Sequence, residues 1–284
     1  MKFELIDTHC HLQFAAYAGD RDAVIDNALK QGIGMIAVGT NIASSKAAVE
    51  LAESVKEGVW ASVAIHPGHV SRPHHDKNET ADVPQEEFFD DDIFSRLIKS
   101  EKVVAIGETG LDYYRLPSID AQEIEKIKQK QRDNLEAHIA FAIKNELPLI
   151  MHVRDAHDDA LTILKSAGCG FRGVMHSFGG TADEARQYLE LGHFIGIGGI
   201  VTFPPRKGEA ENMAVAVARA VPDGRILVET DAPYISPAPL RGKRNEPRNV
   251  IRVAQEIAKI RGVSYDEISR MTTANAVKLF NLAD

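Results

Sequence analysis

Two histidines one residue apart, His9 and His11, stand in the run Asp7-Thr8-His9-Cys10-His11 near the amino terminus. Side chains alternate along a β-strand with a period of two, so both imidazoles face the same way and can share one cation. A His-x-His pair alone fits a structural role as well as a metal-binding one. Four further residues of matching chemistry follow: Glu108, His152, His176 and Asp231. Each has a plain local reading, the imidazoles as hydrogen-bonded core histidines and the carboxylates as helix N-caps. All of them, however, close or follow a short apolar run rich in β-branched residues, and coincidence does not account for five strand ends. Four neutral imidazoles and two carboxylates form a mixed nitrogen and oxygen set. It suits Zn²⁺, Mn²⁺, Fe²⁺ or Co²⁺ and is richer in nitrogen than Mg²⁺ usually takes. One or two divalent ions are expected, with Glu108 as the natural bridge because a carboxylate can give one oxygen to each.

The elements that must position these residues form an alternating pattern. Eight apolar runs are expected as strands: Phe3–Thr8, Gly34–Gly39, Val59–Ile65, Val103–Gly107, Leu149–His152, Gly173–His176, Phe194–Ile197 and Arg225–Glu229. Between and after them, helical spacing is read near Arg21–Gln31, Ser44–Lys56, Asp91–Ser100, Ile119–Asn145, Asp158–Ala167, Thr181–Leu191, Glu209–Ala220, Val250–Arg261 and Ser264–Phe280. Strands alternating with helices give a parallel sheet, and eight is the number that closes a TIM-type (β/α)8 barrel, whose active sites lie at the carboxyl ends of its strands. The expectation is one α/β barrel domain over residues 1–284, without linker, repeat or low-complexity tract. The polar, acidic stretch Ser71–Asp92, with its paired His74 and His75, breaks the pattern. It reads as a surface excursion, a rim or lid, and its histidines as a solvated loop ahead of a metal motif.

The bulk composition bounds the class. The 284 residues are 44% hydrophobic and 26% charged, as in ordinary soluble globular chains. Glu4 and Asp7 interrupt any leader-like apolar stretch, and no later run reaches the length of a membrane span, so a cytoplasmic protein with no membrane partner is expected. Only two cysteines, Cys10 and Cys169, are present, too few for a disulfide framework. The net charge of −8 argues against a broad footprint on duplex nucleic acid but not against a phosphate ester in a metal-lined pocket, where bound cations reverse the local sign.

The ordered motifs DTHCHL (7–12), IHP (65–67), GETGLDYYR (107–115), LPLIMHVRDA (147–156), MHSFGG (175–180), FIGIGG followed by TFP (194–204), VETDAPY (228–234), RGKRNEP (241–247) and TTANAVKLF (272–280) span essentially the whole chain. In these the sequence resembles the TatD family of metal-dependent deoxyribonucleases, within the amidohydrolase superfamily. The resemblance implies a hydrolase of ester bonds that trims DNA, single-stranded or at 3′ ends, with small phosphoesters or aminoacyl esters as the alternative substrates. It places His9, His11, Glu108, His152, His176 and Asp231 as metal ligands, and His66, Arg154 and Glu229 on the substrate side. Related barrel enzymes bridge their metals with a carboxylated lysine on strand four, where this chain has Glu108. The acidic excursion is longer than the family pattern and bears on how a long strand would approach.

On this reading a water acidified by the cations attacks phosphorus as hydroxide. Asp231 is expected as general base, with Glu108 shared between ions and Glu229 orienting water or substrate; Glu229 is equally well a strand-end carboxylate held by a basic neighbour. Arg154 could clamp phosphate through its planar fork, and His66 could donate to a phosphate oxygen. Tyr113 and Tyr114 either stack a base or pack the rim. Arg241, Lys243, Arg244 and Arg248 either track a backbone or pair with nearby acids. A scaffold role without catalysis would leave six metal-competent residues at strand ends without a chemical reason. A monomer or small homo-oligomer is expected.

Overall fold

The computed structural model describes residues 2–70, 76–80, 82, 85–114, 116, 120–168, 170–205 and 207–282. Eight parallel strands run in sequence order around one sheet: β1 (Leu5–Cys10), β2 (Ile33–Val38), β3 (Val59–Val63), β4 (Val103–Asp112), β5 (Leu149–Arg154), β6 (Gly173–Met175), β7 (Phe194–Ile197) and β8 (Ile226–Val228). Among the described residues ten α-helices accompany them: α1 (Arg21–Leu29), α2 (Ile42–Ser54), the single turn α3 (Pro67–Val70), α4 (Asp91–Leu97), α5 (Ala121–Lys144), α6 (His157–Ala167), α7 (Ala182–Glu190), α8 (Met213–Ala220), α9 (Val250–Arg261) and α10 (Tyr265–Phe280). None of the described helices is long and apolar enough to cross a membrane.

Strand-forming runs here are apolar on both faces because both faces are covered. Ile6, Ile36, Val38, Val104, Ile150, Val174, Phe194 and Leu227, from seven of the strands, cluster with Leu279, Phe280 and Leu282 and fill the barrel interior. The closing helix α10 stoppers the amino-terminal end: Ser269 and Thr273 both donate to the Glu4 carbonyl, ahead of β1, and Asn275 donates to those of Asp223 and Ile226. With the bottom sealed, the carboxyl ends of the strands are the open mouth.

Closure between β8 and β1 is made less by a regular ladder than by side chains. The buried Asp7 carboxylate accepts from the Thr230 N–H at 2.8 Å and the Thr230 hydroxyl at 2.6 Å, and the Thr8 hydroxyl donates to the Val228 carbonyl. At the mouth, Asp231 N–H donates to the His9 carbonyl and His11 N–H to that of Ala232. This seam sets Asp231 beside the His-x-His pair.

Two boundaries differ instructively from the sequence reading. The strand expected to stop at Gly107 continues to Asp112. Gly107 pairs with Ile150 and Thr109 with Met151, so Glu108 is the extra residue of a bulge inside the strand rather than a residue beyond its end. Gly110 permits the continuation: its φ is +147°, and a Cβ there would collide with the His152 carbonyl oxygen. The Gly-rich run reads as a turn locally and becomes strand only because β5 lies against it. Likewise the helix expected from Glu209 begins at Met213, because Asn212 caps it by accepting from the Ala214 N–H.

Two buried histidines away from the mouth make acid stability testable. His138 on α5 accepts the Ile65 N–H through Nε2 and donates Nδ1–H to the Asn134 carbonyl, and burial pushes it down to about 4. His193, before β7, is pushed down to about 4 by burial and by Arg225. An unfolded histidine titrates near ~6.5, so between there and pH 4 the unfolded chain takes up the proton first and stability falls as pH falls. In metal-free protein, His193→Gln is expected to lose on the order of 2 kcal/mol less stability than wild type between pH 7 and 4.5 in urea unfolding. Parallel losses in the two proteins would contradict it.

Candidate metal centre

At the mouth the predicted ligands from strands one, four, five, six and eight converge. The bulge in β1, where Asp7 pairs with Met35 but Cys10 with Ala37, leaves His9 and His11 with their Nε2 atoms 3.2 Å apart. Asp231, just past β8, has φ +57°, a left-handed conformation that aspartate tolerates better than most residues, and this turns its carboxylate inward. Its Oδ1 lies 3.4 Å from His11 Nε2 and 3.8 Å from His9 Nε2.

Glu108 stands at the centre, with its two oxygens facing different partners. Oε2 is 3.4 Å from His9 Nε2 and 3.8 Å from His11 Nε2. Oε1 is 2.9 Å from both His152 Nδ1 and His176 Nε2, which are 3.2 Å from each other. Donor atoms on a tetrahedral ion with ligand distances near ~2.0–2.1 Å lie about 3.3 Å apart, so both sets have the spacing of a coordination shell. His9, His11 and Glu108 form one group of mutually close ligand atoms, and His9, His176 and Asp231 another. These histidine, glutamate and aspartate clusters fit a divalent metal site.

Outer hydrogen bonds decide which ring nitrogen carries a proton. His11 Nδ1 lies 2.8 Å from the Val38 carbonyl, which can only accept, so Nε2 keeps its lone pair. Behind His176, Glu229 Oε1 sits 3.2 Å from Nδ1 and also accepts the Ser177 N–H. Behind His152, Asp112 Oδ2 sits 3.3 Å from Nε2, leaving Nδ1 to face Glu108. His66 is the opposite case. Its Nδ1 accepts the Gly68 N–H at 2.9 Å, so the neutral ring carries its proton on Nε2, aimed at Glu108 Oε1 3.5 Å away. Burial pushes His66 down to about 3 against the pull of Glu108, so the ring is neutral at ordinary pH. Although its nitrogen is close to Glu108 and His152, it presents a donor, not a ligand. Burial raises the Glu108 carboxyl, but the imidazoles facing it, His176 foremost, outweigh it and hold it well below the usual carboxylate range.

The other expected site residues lie further out. Glu229 is fully buried behind His176 and does not reach the open side. Arg154 closes β5 with its guanidinium 3.5 Å from the centroid of the exposed Tyr114 ring. Tyr113 is held away from the ligands, its hydroxyl donating to Asp159 at 2.7 Å. Arg244 pairs with Asp20 and Arg248 with Glu246, so both are engaged locally. His74 and His75 lie outside the described residues. Asp112 was not singled out from sequence. Its signal was the strand period of two, which puts residues 108, 110 and 112 in phase, but it is visible only if the strand is continued past Gly107.

Part of the acidic excursion roofs one side of the mouth. Glu79 accepts from Asn41 at 2.8 Å and lies 3.1 Å from His69, its backbone carbonyl accepts the Ala15 N–H, and Asp76 accepts from the Tyr234 hydroxyl. The loops after β8, β1, β2 and β3 are thereby strapped together.

A parallel eight-stranded barrel with histidines and carboxylates clustered at its mouth is an architecture that metal-dependent hydrolases use. The family model described as TatD related DNase matches residues 6–281, and the chain belongs to that family. It is 35% identical over 280 residues to the uncharacterized metal-dependent hydrolase YabD of Bacillus subtilis, covering 98% of this chain and 99% of that one. It is 34% identical over 284 residues to the protein named 3′-5′ ssDNA/RNA exonuclease TatD of Erwinia tasmaniensis, covering 98% and 100%. The crystal structure of YjjV, a TatD homologue from Escherichia coli, superposes with a TM-score of 0.81 at 28% identity over the full length of both chains.

Proposed function

We propose that this hydrolase is a phosphodiesterase that shortens single-stranded DNA from its 3′ end, with two divalent cations that His9, His11, Glu108, His152, His176 and Asp231 would hold. The observation that carries the reading is the divided carboxylate, with Oε2 facing His9 and His11, which Asp231 also approaches, and Oε1 between His152 and His176. Divalent cations held on both sides of this carboxylate would suit in-line displacement at phosphorus. Cations held there would supply water acidity and neutralise charge developing on phosphoryl oxygens.

The chain's own residues do the rest. Asp231, partly open to solvent, accepts the proton of the attacking water. The His66 Nε2–H donates to a phosphoryl or leaving oxygen, a role its tautomer allows and ligation would not. Glu229 and Asp112 act as positioning residues that aim His176 and His152. Arg154 on the rim binds the phosphodiester backbone. The relative named a 3′-5′ ssDNA/RNA exonuclease supports the substrate class.

The test is a 5′-labelled single-stranded oligonucleotide incubated with Mg²⁺, Mn²⁺ or Zn²⁺, and with EDTA. A ladder growing from the 3′ end and abolished by EDTA is expected. Intact DNA under all three metals, with turnover of a small phosphodiester or an aminoacyl ester, would replace the nuclease reading with that activity.

A further inference from the structure

The barrel is not zipped to its mouth between β3 and β4. Among the described residues β3 pairs with β4 only as far as Val63 beside Ile106, yet β4 runs on to Asp112. Tyr113 N–H turns to the Arg154 carbonyl on β5, so the N–H and C=O of Asp112 face the edge that β3 has left. Both sides of this gap carry site residues, Asp112 behind His152 at the end of β4 and His66 in the segment that follows β3.

Helix α5 fills the gap with side chains. Gln131, Asn134 and His138, three and four residues apart, lie on one face of the helix and are all buried. Burying such groups costs stability unless each finds a hydrogen bond, and each finds one on a strand end. Gln131 Oε1 accepts the Asp112 N–H at 2.9 Å and its Nε2–H donates to the Asp112 carbonyl at 3.2 Å, in place of the bonds a neighbouring strand would make. Asn134 Nδ2–H donates to the Ile65 carbonyl and His138 Nε2 accepts the Ile65 N–H, both at 3.1 Å. The peptide unit joining Ile65 to His66 is then held at both its polar groups, because the His66 N–H donates to the Thr40 carbonyl at 2.7 Å. That unit sets the direction in which the His66 ring leaves the backbone, with Nε2 3.5 Å from Glu108 Oε1.

We propose that the Gln131–Asn134–His138 face of α5 is a positioning device that substitutes for the length β3 lacks and aims His66 and Asp112 together. It rests on the reading of His66 as the site's donor and of Asp112 as the group that orients His152. One helix face then fixes the donor relative to the ligand, whose rings lie 4.6 Å apart.

Histidine-ring NMR of the metal-free, ¹⁵N-histidine-labelled protein tests this without catalysis. Wild type is expected to show His66 as a single Nε2–H tautomer. His138→Met and Asn134→Leu, similar in size but unable to hold Ile65, are each expected to move its nitrogen shifts towards a mixture of tautomers. His138→Gln, whose amide oxygen can accept the same N–H, is expected to keep the wild-type pattern. A second arm reads Asp112: Gln131→Met is expected to weaken Zn²⁺ binding about tenfold in competition with a chelator. Gln129→Met, the same change on the exposed face of α5, is expected to alter neither readout. Unshifted ring signals of His193, before β7, report that a variant is folded. The proposal is overturned if folded His138→Met and Asn134→Leu proteins keep the wild-type His66 tautomer, if Gln131→Met binds zinc like wild type, or if Gln129→Met does equal damage. The phosphodiesterase reading fails separately, by metal-loaded wild type leaving DNA intact while the ring signals respond as expected.

Discussion

Glu108→Gln is expected, on the proposed two-cation phosphodiesterase reading, to reduce phosphodiester turnover by about a thousandfold, ~4 kcal/mol in the barrier, and to lower bound metal from two ions per chain to one or fewer. The amide keeps the size of the side chain and one acceptor oxygen. It replaces the other oxygen with an NH₂ group that cannot bind a cation. Because Oε1 and Oε2 face separate histidine sets, the loss falls on one half of the site whichever way the amide turns. Elemental analysis after dialysis, alongside turnover, checks both parts. A variant that keeps two ions and wild-type turnover would end the bridging role. The same substitution removes a negative charge from among His176, His66 and His9, so folding stability of the metal-free variant reports separately on structural damage.

Glu229→Gln carries the second largest expected effect, a ten- to hundredfold loss of metal affinity, although Glu229 faces no open part of the site. Glu229 Oε1 accepts from both His176 Nδ1 and Ser177 N–H, whereas Oε2 is buried with no partner among the described residues. Glutamine can keep the first oxygen, but its NH₂ then occupies a place with no acceptor, packed against Gly196. The charge that makes His176 a stronger base is lost as well. Titration of metal against a chelator reads the affinity, and a Glu229→Asp variant separates charge from reach. Unchanged affinity in a folded Glu229→Gln protein would reduce Glu229 to a packing role. Asp112→Asn is expected to act the same way on His152, more weakly because Asp112 is partly open to solvent.

The sequence by itself determined the barrel and which histidines and carboxylates meet at its mouth. Eight runs such as Val59–Ile65 and Phe194–Ile197 read as strands because a buried parallel strand needs an unbroken apolar, β-branched segment, and that requirement is local. His9, His152, His176 and Asp231 were legible because strand ends in such a barrel all point to one mouth, so linear position fixes spatial neighbourhood. Only the tertiary structure decided how these residues are used. That Glu108 lies within a bulged strand depends on β5 pairing alongside it, and the division of its two oxygens depends on four other strands. That His11 presents a lone pair follows from the Val38 carbonyl on β2, which nothing in its own sequence neighbourhood reveals, whereas His66 is made a donor by the Gly68 N–H two residues on. Glu229 shows the same limit: its motif marks it as part of the site, but whether a carboxylate touches substrate or stands behind a ligand is set by distances of a few ångströms across separate strands, which are tertiary quantities.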